Sequence, residues 1–132
     1  MIYLVRGLPG SGKSTFAKRL AQDNGGILHL ESDMYFMKNG EYVFDSAKVP
    51  KNHEWCFNAF KDAVNAGMDV IVSNTFTQKW ELNPYIEYAK YASQEVKLYR
   101  CSGEYGNTHN VPQEVLKAMR ERFVDIAGEI VV

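Results

Sequence analysis

Cysteine is scarce in this chain: Cys56 and Cys101 are the only two, far apart, and nothing around them suggests a secreted disulfide framework. Reduced, interior thiols are therefore expected. Histidine is scarce too. Three scattered histidines and two distant cysteines make a zinc site improbable, and His53-Glu54 does not complete H-E-x-x-H, because Phe57 stands at the last position. No apolar run approaches the ~20 residues that cross a bilayer. Met1-Ile2-Tyr3-Leu4-Val5 lacks both the basic start and the full apolar stretch of a secretory signal, so a cytoplasmic location without a membrane partner is expected. Charge of one sign is also missing. With 15 Lys+Arg against 16 Asp+Glu and a net charge of −1, a generic DNA coat or an anionic-membrane binder is disfavoured, although a small basic site is not. Repeats, low-complexity tracts and linkers are absent, and 132 residues suit one domain, 1–132, able to bury a core without a metal or disulfide.

What is there alternates. Residues 1–6 read as a buried strand, Lys13–Gln22 as a helix with Phe16, Ala17, Leu20 and Ala21 on one stripe, and Asn24-Gly25-Gly26 as its end. Ile27–Leu30 reads as a second strand, 34–50 as an irregular loop with a turn at Asn39-Gly40, and Asn52–Ala66 as a helix capped by Gly67. Met68–Val72 is expected to be a central strand, Trp80–Ala92 a helix with Pro84 in about its first turn, and Val96–Cys101 a fourth strand nearer an edge. A loop over 102–111 leads to a helix from Pro112, with Val115, Met119 and Phe123 as its stripe. Strands alternating with helices predict an α/β fold of about four mainly parallel strands, whose ligands lie beyond the C-terminal strand ends. Segments 7–15, 31–33, 73–76 and 101–112 are thereby selected.

The first of these, Gly7-Leu8-Pro9-Gly10-Ser11-Gly12-Lys13-Ser14, fits the phosphate-loop pattern G-x-x-x-x-G-K-[ST], and Thr15 follows. Glycines let successive backbone N–H groups turn inward onto phosphate oxygens, while the following helix directs its positive end at them. Lys13 should reach the β- and γ-phosphates, and Ser14 should bind Mg²⁺ through its hydroxyl. ATP and Mg²⁺ are the expected ligands. No N-K-x-D guanine signature is present, and Asp23-Asn24-Gly25-Gly26 sits at a helix end, so a GTPase is disfavoured. Ser73 stands where many P-loop ATPases carry a metal-binding aspartate, which disfavours a motor ATPase. Asp33, beyond a strand taken to adjoin the P-loop, could accept a proton from an incoming hydroxyl or orient a metal-bound water; a turn or helix-cap role is the alternative.

Taken in order, GLPGSGKST (7–15), LESDMYF (30–36), His53-Glu54-Trp55, SNTFTQKWELNPY (73–85) and NTHNVP (107–112) resemble small phage and bacterial P-loop ATP-binding proteins of the polynucleotide-kinase type. The resemblance runs over nearly the whole chain. It implies a three-layer, adenylate-kinase-like P-loop sandwich and transfer of the ATP γ-phosphate to a hydroxyl, in polynucleotide kinases the 5′-OH of a nucleic acid. By position it implies Lys13 and Asp33 as catalytic groups, with Asp33 the general base. ATP contacts would come from Gly7, Pro9, Gly10, Ser11, Gly12, Lys13, Ser14 and Thr15, and from Asn107 and His109, which with Pro112 match the loop near the lid and adenine. Asn74 and Thr75 match the acceptor side, where Tyr35 and His53 are further candidates. Where the family commonly has arginines, one after the aspartate and one in the lid, this chain has Met34-Tyr35-Phe36 and Gly106, leaving Arg100, Arg120 and Arg122 as candidates for transition-state charge. Trp80 and Tyr85 are expected in the core rather than on a base. A nucleotide-binding module acting through a partner, and a small-metabolite kinase, are the competing readings.

Overall fold

A computed structural model of the chain describes residues 1–106 and 111–132. In chain order its elements are β1 (Ile2–Gly7), α1 (Lys13–Asp23), β2 (Leu28–Leu30), β3 (Met37–Lys38), β4 (Glu41–Tyr42), α2 (Val49–Asn65), β5 (Val70–Asn74), α3 (Lys79–Tyr91), β6 (Val96–Cys101), α4 (Gln113–Arg122) and β7 (Ile130–Val131). Five strands form one parallel sheet in the order β2-β5-β1-β6-β7. This is the α/β P-loop fold expected, with one strand more than the four read from the sequence. The extra strand, β7, has only two residues and so no alternation to detect.

β1 is apolar almost throughout because it is central: β5 and β6 cover its edges, helices its faces. Ile2 and Leu4 join Val70, Val72, Leu98, Phe60, Leu82 and Tyr85 in the larger core beneath α2 and α3. Tyr3 and Val5 point the other way, to Ile71 and to Ala17 and Ala21 of α1. The stripe expected on α1 is thus the buried one. At the end of α2 the Gly67 N–H reaches Val64 O at 3.0 Å with φ +74°, the left-handed cap that glycine permits.

Several expectations need correction. β2 does not adjoin the P-loop strand, since β5 lies between them. Residues 34–50 are not irregular: a 3-10 turn (Ser32–Phe36) leads into the β3–β4 hairpin, whose Asn39-Gly40 turn has positive φ at both residues. That is the turn geometry whose twist suits two antiparallel strands. Phe36, Tyr42 and Phe44 hold the hairpin down by ring contacts, which carry no helical or strand period. α2 begins at Val49 with Pro50 in its first turn. Pro84 lies inside α3, past its first turn, and Trp80 is 68% exposed while Tyr85 is buried. β6 does lie nearer an edge, as expected, with the short β7 outside it. On α4 the buried residue is Leu116; Val115 is exposed and Phe123 lies just past the helix. Among the described residues no helix is long and apolar enough to cross a membrane. Both cysteines are free and buried, as expected.

Candidate active site

The phosphate loop leaves β1 at Gly7, whose N–H bonds Thr75 O at 3.3 Å and so fastens the loop to the end of β5. A side chain at Gly7 would sit 2.3 Å from Ser11 Oγ. Gly10 and Gly12 adopt φ of +81° and +88°, and a Cβ on Gly10 would lie 2.0 Å from Gly106 O, so glycine is required there twice over. α1 starts at Lys13 behind Gly12, which has no side chain to cap it, so among the described residues its first N–H groups are available to an anion. The buried Ser11 Oγ likewise has no hydrogen-bond partner among the described residues. Burial pushes the Lys13 ammonium down from its ordinary pKa, while the charges of Glu31 and Asp33 pull it back up. Thr15 is exposed on the first turn.

Glu31, at the tip of β2, is the centre of the polar network. Its Oε1 accepts from Ser14 Oγ at 2.5 Å and from Ser73 Oγ at 2.7 Å, and His29 Nε2 lies 3.3 Å away. With the Ser73 proton given to Glu31, His29 Nε2 donates to Ser73 Oγ at 2.6 Å. Burial pushes the Glu31 carboxyl up, but bonds from His29, Ser14 and Ser73 outweigh it and bring it down to about 2. The Ser14 hydroxyl and the carboxylate it meets are hard oxygen donors, which suits Mg²⁺. Among the described residues no group of three or more His, Cys, Asp or Glu could hold a metal, so phosphate and water would complete its shell.

Asp33 sits in the 3-10 turn after β2, half-buried and electrostatically coupled to Lys13. Tyr42 of the hairpin hydrogen-bonds to it; burial and that carboxylate together push the Tyr42 phenol up. The turn itself is clamped from below. Asn74 Oδ1 accepts the Ser32 N–H at 2.8 Å and its Nδ2 reaches Cys56 Sγ at 3.8 Å, so Asn74 positions the turn rather than lining open space. His53, exposed on α2, meets Ser32 Oγ at 3.2 Å. Tyr35 is half-buried with its ring against Phe36 and Trp55, and Thr75 is half-buried beside the phosphate loop. Lys13, Ser14, Asp33 and Thr75 therefore belong to one neighbourhood, with Asn74 buried beneath it and His53 and Tyr35 against the Ser32–Phe36 turn. Asn107 and His109 lie outside the described residues.

On the other side of the phosphate loop a cavity of about 380 Å³ is lined by Leu8, Pro9, Gly10, Leu116, Arg120 and Phe123, among others. Of the three candidate arginines, only Arg120 has no ion pair or side-chain bond among the described residues. Arg100 pairs with Asp125 and with Glu129 at 3.3 Å, and Arg122 Nε donates to Thr77 Oγ1 at 3.2 Å. Arg6 of β1, unsuspected from sequence, is wholly buried. It reaches Glu129 at 2.7 Å and the carbonyls of Phe76 and Thr77 at 3.0 and 3.3 Å, and lies 4.0 Å above the Phe123 ring. Phe76 has φ +43°, a left-handed backbone that costs a non-glycine residue about 1–2 kcal/mol. Arg6 and the aromatic core around Tyr85 hold it there.

Residues 2–106 match the AAA domain family. The chain belongs to that family. Over 96% of its length this AAA domain is 35% identical to human NEDD4-binding protein 2, of which it spans 8%. Its fold is similar to that of a sugar kinase from Janibacter sp. HTCC2649, with a TM-score of 0.69 at 18% identity over 99% of this chain and 83% of that one. It is also similar to a chain of the Pnkp1/Rnl/Hen1 complex, with a TM-score of 0.63 at 17% identity over 89% of this chain and 38% of that one. The AAA domain is thus a P-loop nucleotide-binding unit of kinase-like fold, as its phosphate loop led us to expect.

Proposed function

We propose that this AAA domain transfers the γ-phosphate of ATP to a hydroxyl acceptor, a polynucleotide 5′-OH or a nucleotide-like molecule. The observation that carries the reading is Asp33: a carboxylate in the turn after β2 whose charge acts on Lys13 of the phosphate loop, in a turn that Asn74 clamps. The N–H groups of residues 10–15 hold the β- and γ-phosphates, with Lys13 balancing their charge. Asp33 accepts the acceptor's hydroxyl proton as its oxygen bonds to the γ-phosphorus; the bond from that phosphorus to the bridging oxygen breaks, and ADP leaves with the electron pair. Bound Mg²⁺ would neutralise charge on the same phosphates, with Ser14 as its protein ligand. The cavity beside Leu8, Pro9 and Arg120 is of a size and position to take the adenine.

Support comes from the P-loop family match and from folds shared with proteins described as a sugar kinase and as part of an RNA repair complex. A panel of γ-labelled ATP with 5′-OH oligonucleotides, nucleosides and sugars tests it: label should pass to one acceptor class and not to water alone. A second reading has one observation in its favour, the capture of Arg100 and Arg122 by Asp125, Glu129 and Thr77. With those two engaged, a nucleotide-binding module working through a partner is the alternative, and no label in any acceptor would select it.

A further inference from the structure

We infer that Glu31 is the metal-side carboxylate of this site, carried on β2 in place of the acid that many P-loop enzymes place at the end of the strand beside the loop. The inference rests on the phosphotransfer reading and assigns a role within the same site.

In P-loop enzymes the metal is held by the loop's Ser or Thr and by an aspartate at a strand end. A hydroxyl that gives a lone pair to a metal must send its proton elsewhere, and a carboxylate takes it best, orienting the oxygen and raising its basicity. Here the tip of β5, next to β1, carries Ser73, in register with Val5, and has no charge to offer. The carboxylate that takes the Ser14 proton, at 2.5 Å, comes instead from Glu31, one strand further out. Neighbouring strands are ~4.8 Å apart, so this acid has to cross the tip of β5, and the longer glutamate side chain suits that span. Ser73 is small enough to be crossed, and its hydroxyl holds the same Oε1 at 2.7 Å. His29, two residues back on the same face of β2, braces both, 2.6 Å from Ser73 Oγ and 3.3 Å from Glu31 Oε1. The site therefore has an acid and a serine at the two strand tips, with the acid on the outer one.

The test uses the full chain and counts Mn²⁺ bound in the presence of ADP by its paramagnetic resonance signal, alongside calorimetric ADP binding in EDTA. Glu31→Gln keeps the shape and removes the charge. It should lower Mn²⁺ affinity in the ADP complex by about 10–100-fold and leave ADP affinity in EDTA unchanged. Glu31→Ser should do the same, and adding Ser73→Asp to it should restore most of the loss by returning the acid to β5, which a merely structural Glu31 would not allow. Unaltered Mn²⁺ affinity in Glu31→Gln, beside metal-dependent ADP binding by the unchanged chain, overturns this assignment alone. If the unchanged chain shows no metal-dependent ADP binding, the phosphotransfer reading falls as well. Should the double variant fail to fold by circular dichroism, the Glu31→Gln comparison decides.

Discussion

Replacing Glu129 with Ala removes the only carboxylate among the described residues that meets Arg6, a guanidinium with no exposed surface. Breaking a buried ion pair from one side costs about 3–5 kcal/mol, because the remaining charge stays desolvated. Arg6 keeps the carbonyls of Phe76 and Thr77, which argues for the lower end. The Ile126 N–H and Arg100 lose an acceptor as well, which argues against anything smaller. With an unfolding entropy of ~2.1 cal/mol/K per residue, a loss of about 3 kcal/mol in this chain lowers Tm by roughly 10–12 °C. Thermal melts followed by circular dichroism read this directly. A drop of less than about 4 °C, the scale of a surface ion pair, would refute the reasoning. A second arm removes both charges: Arg6→Met with Glu129→Leu should recover most of the loss. Acid gives a third. Burial pushes the Glu129 carboxyl up, but the bonds from Ile126, Arg6 and Arg100 prevail and hold it below its ordinary 4.5. Its contribution is thus complete above that pH and disappears as pH falls through the lower folded value, so the gap between wild type and Glu129→Gln should close in strong acid.

Three further outcomes are expected. Asp33→Asn should reduce phosphotransfer by about 10²–10⁴ and leave ATP affinity intact, measured by labelled transfer and by equilibrium binding; unchanged turnover would remove Asp33 from the chemistry. Asn74→Ala leaves the buried Ser32 N–H without its acceptor, so stability should fall by about 1–3 kcal/mol in urea titrations and turnover should fall with it, since Ser32 opens the turn that holds Asp33. Cys56 and Cys101, whose thiols burial pushes up, should resist a thiol reagent in the native protein and react together once it unfolds.

The phosphate loop and the alternation of the main strands and helices could be read in advance because each depends on local pattern. Apolar runs with glycine at their ends mark buried parallel strands, and Gly10, Gly12, Lys13 and Ser14 have few other reasons to occur at that spacing. Glu31 was harder. Its segment was selected by the strand-end rule, but its importance depends on β5 lying between β2 and β1, and strand order is a tertiary fact that no single segment encodes. The role of Arg6 was invisible for a related reason. The residue's place at the end of a buried strand was legible, but nothing nearby showed what would balance its charge, because the partner lies 123 residues later. The hairpin over 37–42 was missed because ring contacts, not alternation, secure it. Trp80 misled through composition, since an indole in a helix normally seeks the core and this one faces solvent.

The pairing of Arg6 with Glu129 also constrains how the protein can be made. β1 is made before the other strands of its sheet and lies at the sheet's centre, yet among the described residues its guanidinium meets no carboxylate until the segment around residue 129 has been added. A nascent chain that packed α2 and α3 onto β1 early would bury an unpaired cation, which disfavours closing that part of the core during synthesis. The segment leading into β7 thus acts as a late checkpoint: Arg6, which the Phe76 and Thr77 carbonyls can already hold, gains its counter-charge only when Glu129 is in place.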